Sequence, residues 1–177
     1  ATGAGQSDAA VFEVHDGVVE IQFQFLRSQH HAHVPDAFIG EGAKVYGGRW
    51  NSPGFAAVYG SQNKSLAVLE QLVHLNPRSV RRFKAFCFHF PDSIVVRIEP
   101  GDLPKDWRQQ PPPASTQQFG DAWLRQARSA VLAVPSVIVT EEVNYLLTPA
   151  HPDFQKSIVA KSSDFLFDSR LMAEAKR

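Results

Sequence analysis

Tyr46-Gly47-Gly48-Arg49-Trp50-Asn51-Ser52-Pro53-Gly54 and, a short apolar segment later, Ser65-Leu66-Ala67-Val68-Leu69-Glu70-Gln71-Leu72-Val73-His74-Leu75 are the stretches on which the reading of this chain turns. Four of its 11 glycines fall between Gly40 and Gly48. That density reads as a loop whose backbone needs unusual torsions or a close approach to something else. Residues 56–60 then read as a short buried strand. Residues 63–75 read as a helix, with Ser61 or Asn63 as N-cap and Pro77 closing it. The glycine spacing does not frame a strand–loop–helix dinucleotide fingerprint, and there is no phosphate-loop lysine motif, so a Rossmann reading is excluded.

Outward from this region the pattern is mostly strand. Residues 18–25 alternate Val19, Ile21, Phe23 and Phe25 with Glu20, Gln22 and Gln24, the period of two of a strand with one wet face. Residues 82–90 read as a strand apolar on most of both faces, and 93–98 as another. Residues 100–113 form a proline-rich connector ending in an extended, stiff Pro111-Pro112-Pro113. A helix is expected over 116–129 around Phe119, Trp123 and Ala127. Strands are expected at 131–134, 137–139 and 143–147, then a turn or helix at 152–158 and a last strand at 165–167. Few helices and many non-alternating strands make an α+β domain. Residues 1–17 read as a flexible leader before a single domain over 18–177.

Composition narrows the function classes. A chain of 177 residues fits one domain with a real core. Lys plus Arg (18) balances Asp plus Glu (18), which argues against direct nucleic-acid binding and against an acidic tail. The single cysteine, Cys87, excludes an intrachain disulfide and a multi-cysteine metal site and suits a reducing cytosol. No run approaches the ~20 apolar residues of a membrane span, and residues 1–8 lack the features of a signal peptide. A cytoplasmic protein with no membrane role is expected.

Several residues have the right chemistry for a site. On the 63–75 helix Leu66, Leu69 and Val73 share one stripe, with Glu70 at its rim and His74 a turn beyond. The plain alternative is a surface Glu–His pair worth a few tenths of a kcal/mol; the functional one is a carboxylate held at the edge of a cleft. Arg27, at the end of the first strand, and Arg49, among glycines, offer planar forks of donors that suit a phosphate or pyrophosphate. Each has a surface salt bridge as its alternative. Tyr59 is either a core residue or a wall for a flat ring. Ser136, after Pro135, has a turn role as its alternative. His30, His31 and His33 are not fixed on one face by their spacing and read as a solvated loop, so no metal is expected. No nucleophile motif is present, and Cys87 lies in an expected core strand.

Taken together, Gly40-Glu-Gly-Ala43, Tyr46 to Gly54, Val58-Tyr59 and Ser65 to Leu75 resemble the RES-domain toxins of RES–Xre toxin–antitoxin modules, in order and in spacing. Val134-Pro-Ser-Val-Ile138, Asn144-Tyr-Leu-Leu-Thr-Pro-Ala-His-Pro-Asp-Phe154 and Phe167-Asp-Ser-Arg-Leu171 extend the resemblance over residues 22–171. Thr148, in place of an Asn, and Phe55, in place of a smaller residue, depart from the pattern. The resemblance implies an ADP-ribosyltransferase-like fold: two packed, mostly antiparallel sheets with peripheral helices around an NAD+ cleft. It implies that NAD+ is consumed as a substrate, by phosphorolysis or hydrolysis of the nicotinamide–ribose bond or by transfer of ADP-ribose to a protein of nucleotide metabolism. It also implies an Xre-type antitoxin that occludes the site. The arginine, glutamate and serine for which the family is named correspond to Arg27, Glu70 and Ser136. On this reading Glu70 stabilises the reacting centre, Arg27 and Arg49 hold the pyrophosphate, Tyr59 stacks on the nicotinamide, and Ser136 orients the ribose or amide. Gly48, Trp50 and Asn51 complete the cofactor contacts. A non-catalytic nucleotide- or antitoxin-binding protein is the alternative from a different class.

Overall fold

The computed structural model describes residues 18–27, 38–74, 82–156 and 158–172. His30, His31, His33, Pro77 and the expected leader lie outside the described residues. Among the described residues seven strands form two sheets. In the first, β1 (Val18–Arg27) and β7 (Ile158–Leu166) flank β3 (Arg82–Pro91), all antiparallel. In the second the order is β2 (Val58–Ser61), β6 (Val143–Leu147), β5 (Val131–Pro135) and β4 (Val95–Arg97); only the β4–β5 pair is parallel. Helices α1 (Glu41–Tyr46), α2 (Lys64–Leu72) and α3 (Ala114–Gln126) lie around them. This is the α+β arrangement expected from the sequence.

The period of two explains the layering. β5 is buried along its whole length because both of its faces are covered. Val131 and Ala133 point into an inter-sheet core with Tyr145 and Leu147 of β6 and with Phe86 and Phe90 of β3. Phe90 and Tyr145 meet edge to face, centroids 5.6 Å apart, a contact worth about 0.5–1.5 kcal/mol beyond the area it buries. Leu132, Val134 and Leu146 point the other way, into a second core with Trp50, Leu103, Trp107, Trp123 and Leu124. α3 and the glycine-rich segment therefore form a third layer over the four-stranded sheet.

Several local expectations are corrected. The segment read as loop between Gly40 and Gly48 contains α1, six residues with none buried; its two glycine-bounded ends are the irregular part. Residues 137–139 are bends between β5 and β6. The strand expected over 93–98 begins only after a 3-10 turn at Asp92–Ile94, and β7 starts well before residue 165. The stripe Leu66, Leu69, Val73 is not the buried one. Leu66 and Ala67 are buried while Leu69 and Val73 are exposed, because Ala67, Val68 and Leu72 pack against Phe83, Ala85 and Phe167. Of the two departures from the family pattern, Thr148 is buried with its backbone bonded to Ala130 and His151. Phe55 lies under the Arg125 guanidinium, 5.0 Å from its ring centroid.

Candidate active site

At one end of the four-stranded sheet β2 runs out at Ser61, β5 at Pro135, and β6 begins at Val143, while α2 follows directly from β2. Asn63 is the N-cap: its backbone is extended and its Oδ1 accepts from Leu66 N at 2.8 Å. A capped helix starting at the sheet edge gives its side chains fixed positions. Glu70, in the last turn of α2, is held by two donors on the same oxygen, Ser136 Oγ at 2.8 Å and Asn144 Nδ2 at 2.5 Å from Oε1. Ser136 Oγ in turn accepts from the N–H groups of Ile138 (3.0 Å) and Val139 (3.2 Å). With both of its lone-pair positions and its one proton used, the hydroxyl has no capacity left for a ligand. Among the described residues no partner meets Oε2 of Glu70.

Glu70 and Asn144 line a cavity of about 540 Å³ with Arg49, Tyr59, Gln110 and Ile138, within the usual size of small-molecule sites. Arg49 stands in a turn closed by the Gly48 N–H donating to Asn51 O at 2.9 Å. Its Nη1 donates to the carbonyls of Trp107 (2.7 Å) and Gln109 (3.0 Å). Nε and Nη2 have no partner among the described residues. Burial pulls the Arg49 pKa down from its ordinary value, and the Glu70 charge acts in the opposite sense. The cleft thus pairs a carboxylate with a guanidinium that still has free donors.

One face of α3 fixes this turn. Gln117, Gly120 and Asp121 are spaced three, then one, so they lie together on a helix. Gln117 Nε2 donates to Gly48 O at 3.1 Å, and Asp121 Oδ1 accepts from Ser52 N at 2.8 Å. Between them Gly120 sits so close to Trp50 that a Cβ would lie 1.8 Å from its carbonyl oxygen. Gly48 is glycine for a similar reason, since a Cβ there would meet the Tyr59 hydroxyl at 2.5 Å.

The expected ligand contacts therefore divide. Glu70, Arg49, Gly48 and the Tyr59 ring lie on the cavity wall. The Tyr59 hydroxyl accepts from Trp50 N (3.1 Å) and donates to Asn51 Oδ1 (2.7 Å); burial pushes its pKa well above the ordinary tyrosine value. Asn51, expected among the cofactor contacts, ties the turn together. It is wholly buried, and its Nδ2 donates to Ala43, Ser52 and Phe55 carbonyls at 2.8–3.2 Å. Trp50 reaches the wall but is almost fully buried, packed against Phe119 at 6.1 Å. Ser136, expected to orient the ribose or amide, is fully buried and donates to the Glu70 carboxylate. Arg27 ends β1 opposite Phe83; its side chain lies outside the description. Asn144 enters the sequence reading only as part of a motif, yet its amide bonds Glu70 on the cavity wall. Asn51→Ala is expected to cost about 1–3 kcal/mol, because it strands buried partners; denaturant unfolding beside Tyr59→Phe, which leaves the amide in place, measures it.

A family model described as the RES domain matches residues 24–168. The chain belongs to the RES-domain family. Curated relatives agree: "Toxin Res" of Yersinia enterocolitica is 40% identical over 141 residues, 78% of this chain and 93% of that protein. "Prs ADP-ribosylating toxin" of a Sphingobium species is 40% identical over 144 residues, 79% of this chain and 89% of that protein. Among solved structures, a chain of the M. tuberculosis MbcT–MbcA toxin–antitoxin complex matches this RES domain with a TM-score of 0.66 at 18% identity, covering 84% of this chain and 87% of that one. That likeness shows that the two chains share a fold. Among the described residues of the RES domain no helix is long and apolar enough to cross a membrane.

Proposed function

We propose that this RES domain is the toxin of a toxin–antitoxin module and that it cleaves the nicotinamide–ribose bond of NAD+. The observation that carries the reading is Glu70, anchored through Oε1 with Oε2 unpartnered among the described residues, on a cavity wall shared with Arg49. The names of the relatives support a toxin, and one of those names supports ADP-ribosyl chemistry.

The chemistry follows from the leaving group. Nicotinamide departs from a cationic nitrogen, so the step needs no general acid. It passes through an oxocarbenium-like centre, as glycoside cleavage does. A preorganised carboxylate lowers that barrier by stabilising the positive charge that develops on the ribose. Glu70 does this; Ser136 and Asn144 keep it from turning away. Arg49 and, on this reading, Arg27 bind the pyrophosphate through forked donors. The Tyr59 ring walls the nicotinamide pocket. Water or phosphate then takes the anomeric carbon from the open side.

A second reading differs only in the acceptor. The Sphingobium relative's name favours a protein side chain in place of water or phosphate. An antitoxin partner of the Xre type is part of the same proposal. Tyr46 (84% exposed), Val73 (62%) and Ile138 (38%) give the cavity mouth an apolar rim for it to cover. Expression without an antitoxin in a bacterial host, with intracellular NAD+ followed by mass spectrometry, tests the reading. Growth arrest with falling NAD+ is expected. Arrest with NAD+ maintained and a one-ADP-ribose adduct on a host protein carries the second reading. Unimpaired growth with NAD+ unchanged contradicts both.

A further inference from the structure

Ser61 and Asn144 face each other across the β2–β6 pair. Their side chains meet: Ser61 Oγ lies 2.7 Å from Asn144 Oδ1, and Asn144 Nδ2 lies 2.5 Å from Glu70 Oε1. Ser61 is 4% exposed, so no solvent competes for this bond. The direction of the chain is set chemically. Ser136 Oγ accepts two backbone N–H groups, so its own proton goes to Glu70 Oε1, which is thereby an acceptor. The atom of Asn144 nearest that oxygen must then be the amide nitrogen, and its carbonyl must face Ser61, the group able to donate to it. Turned over, the amide would set its carbonyl oxygen against the Glu70 carboxylate, acceptor against acceptor.

We infer that Ser61 and Asn144 are positioning residues, a two-step relay that holds Glu70 with Oε2 directed at the reacting centre. The inference rests on the proposed role of Glu70. It goes further in assigning the fixed geometry to strand register: a slip of one residue between β2 and β6 would break the relay while leaving α2 intact. Ser136 restrains Glu70 from the β5–β6 loop and Asn144 from the strand itself, two supports that meet on one oxygen.

Asn144→Asp tests this without changing size. It places a second carboxylate against Glu70, so the two titrate as a coupled pair sharing a proton. The charged and titratable groups around them, Arg49 from the glycine turn and His74 and Tyr59 on the cavity wall, are the same in both proteins and cancel in the comparison. Two readouts on the purified full chain are needed. The first is the pH profile of nicotinamide release. The variant is expected to lose at least tenfold near neutral pH and to recover part of it as pH rises, whereas a merely structural defect lowers the rate equally at all pH. The second is carbon NMR of the labelled glutamate carboxyl absent from Glu70→Gln, whose midpoint moves by about one unit or more in Asn144→Asp. Ser61→Ala, the smaller change if Asn144→Asp does not fold, is expected to lower kcat about tenfold with KM within about twofold. An active wild-type chain whose Asn144→Asp profile and midpoint superimpose on its own, or an unchanged kcat in Ser61→Ala, overturns the relay alone. An inactive wild-type chain with a displaced midpoint overturns the NAD+ reading and leaves the Asn144–Glu70 coupling standing.

Discussion

Glu70→Gln is expected to slow nicotinamide release by about 10²–10³-fold, the usual cost of removing one preorganised electrostatic group. The substitution keeps length and shape. An amide oxygen at the Oε1 position can still accept from Ser136 and Asn144, so the packing of α2 is undisturbed and unfolding by denaturant should be close to wild type. What changes is the charge on the free side of the group. If Glu70 acts mainly on the transition state, kcat carries the loss and KM moves little. A loss confined to KM would make Glu70 a ground-state contact. A variant with unchanged kcat/KM would remove it from the mechanism.

Gly120→Ala is expected to have the largest effect on stability among single-methyl additions. The new Cβ would lie 1.8 Å from Trp50 O and 2.7 Å from Trp50 C, both backbone atoms that cannot rotate aside. Either α3 or the Arg49 turn must move. Overpacking of this kind costs about 1–3 kcal/mol or more, and the gain of about 1 kcal/mol from alanine's better helix propensity only partly offsets it. A net loss of about 2 kcal/mol corresponds to a Tm lower by about 4–8 °C in a domain of this size. Displacing the turn also displaces Arg49, so KM for NAD+ should rise together with the loss of stability. Gly42→Ala is the control, because nothing lies within 4 Å of its Cβ position. A Gly120→Ala protein as stable as Gly42→Ala would show that α3 does not press on the turn.

The strands were legible where one physical signal dominated. The alternation in β1 and the apolar run of β5 are plain in the sequence, and of the two N-cap candidates, Ser61 and Asn63, the structure uses Asn63. α1 was hidden because a six-residue helix with no buried side chain has no apolar period to read. The rotation of α2 was misread because Leu69 and Val73 are apolar for a different reason: Val73 lines the cleft, and neither is in the core. At the site, motif residues were visible but their division of labour was not. Asn51 and Ser136 look like ligand contacts in sequence, and only the donors and acceptors around them show that each is already saturated. The face of Gln117, Gly120 and Asp121 is helix-spaced, but its partners are 69 residues away in the chain. Asn144 reaches Glu70 across 74 residues and through strand register, which no local pattern encodes.

The central claim is that the cleft breaks the nicotinamide–ribose bond of NAD+. Its most direct test is to incubate the purified chain with NAD+ in phosphate and in phosphate-free buffer, with and without a bacterial lysate, and to identify products by chromatography and mass spectrometry. The account predicts free nicotinamide in step with NAD+ loss, accompanied by ADP-ribose, its 1″-phosphate or an ADP-ribosylated lysate protein according to the acceptor. NAD+ recovered intact under every one of these conditions would contradict it.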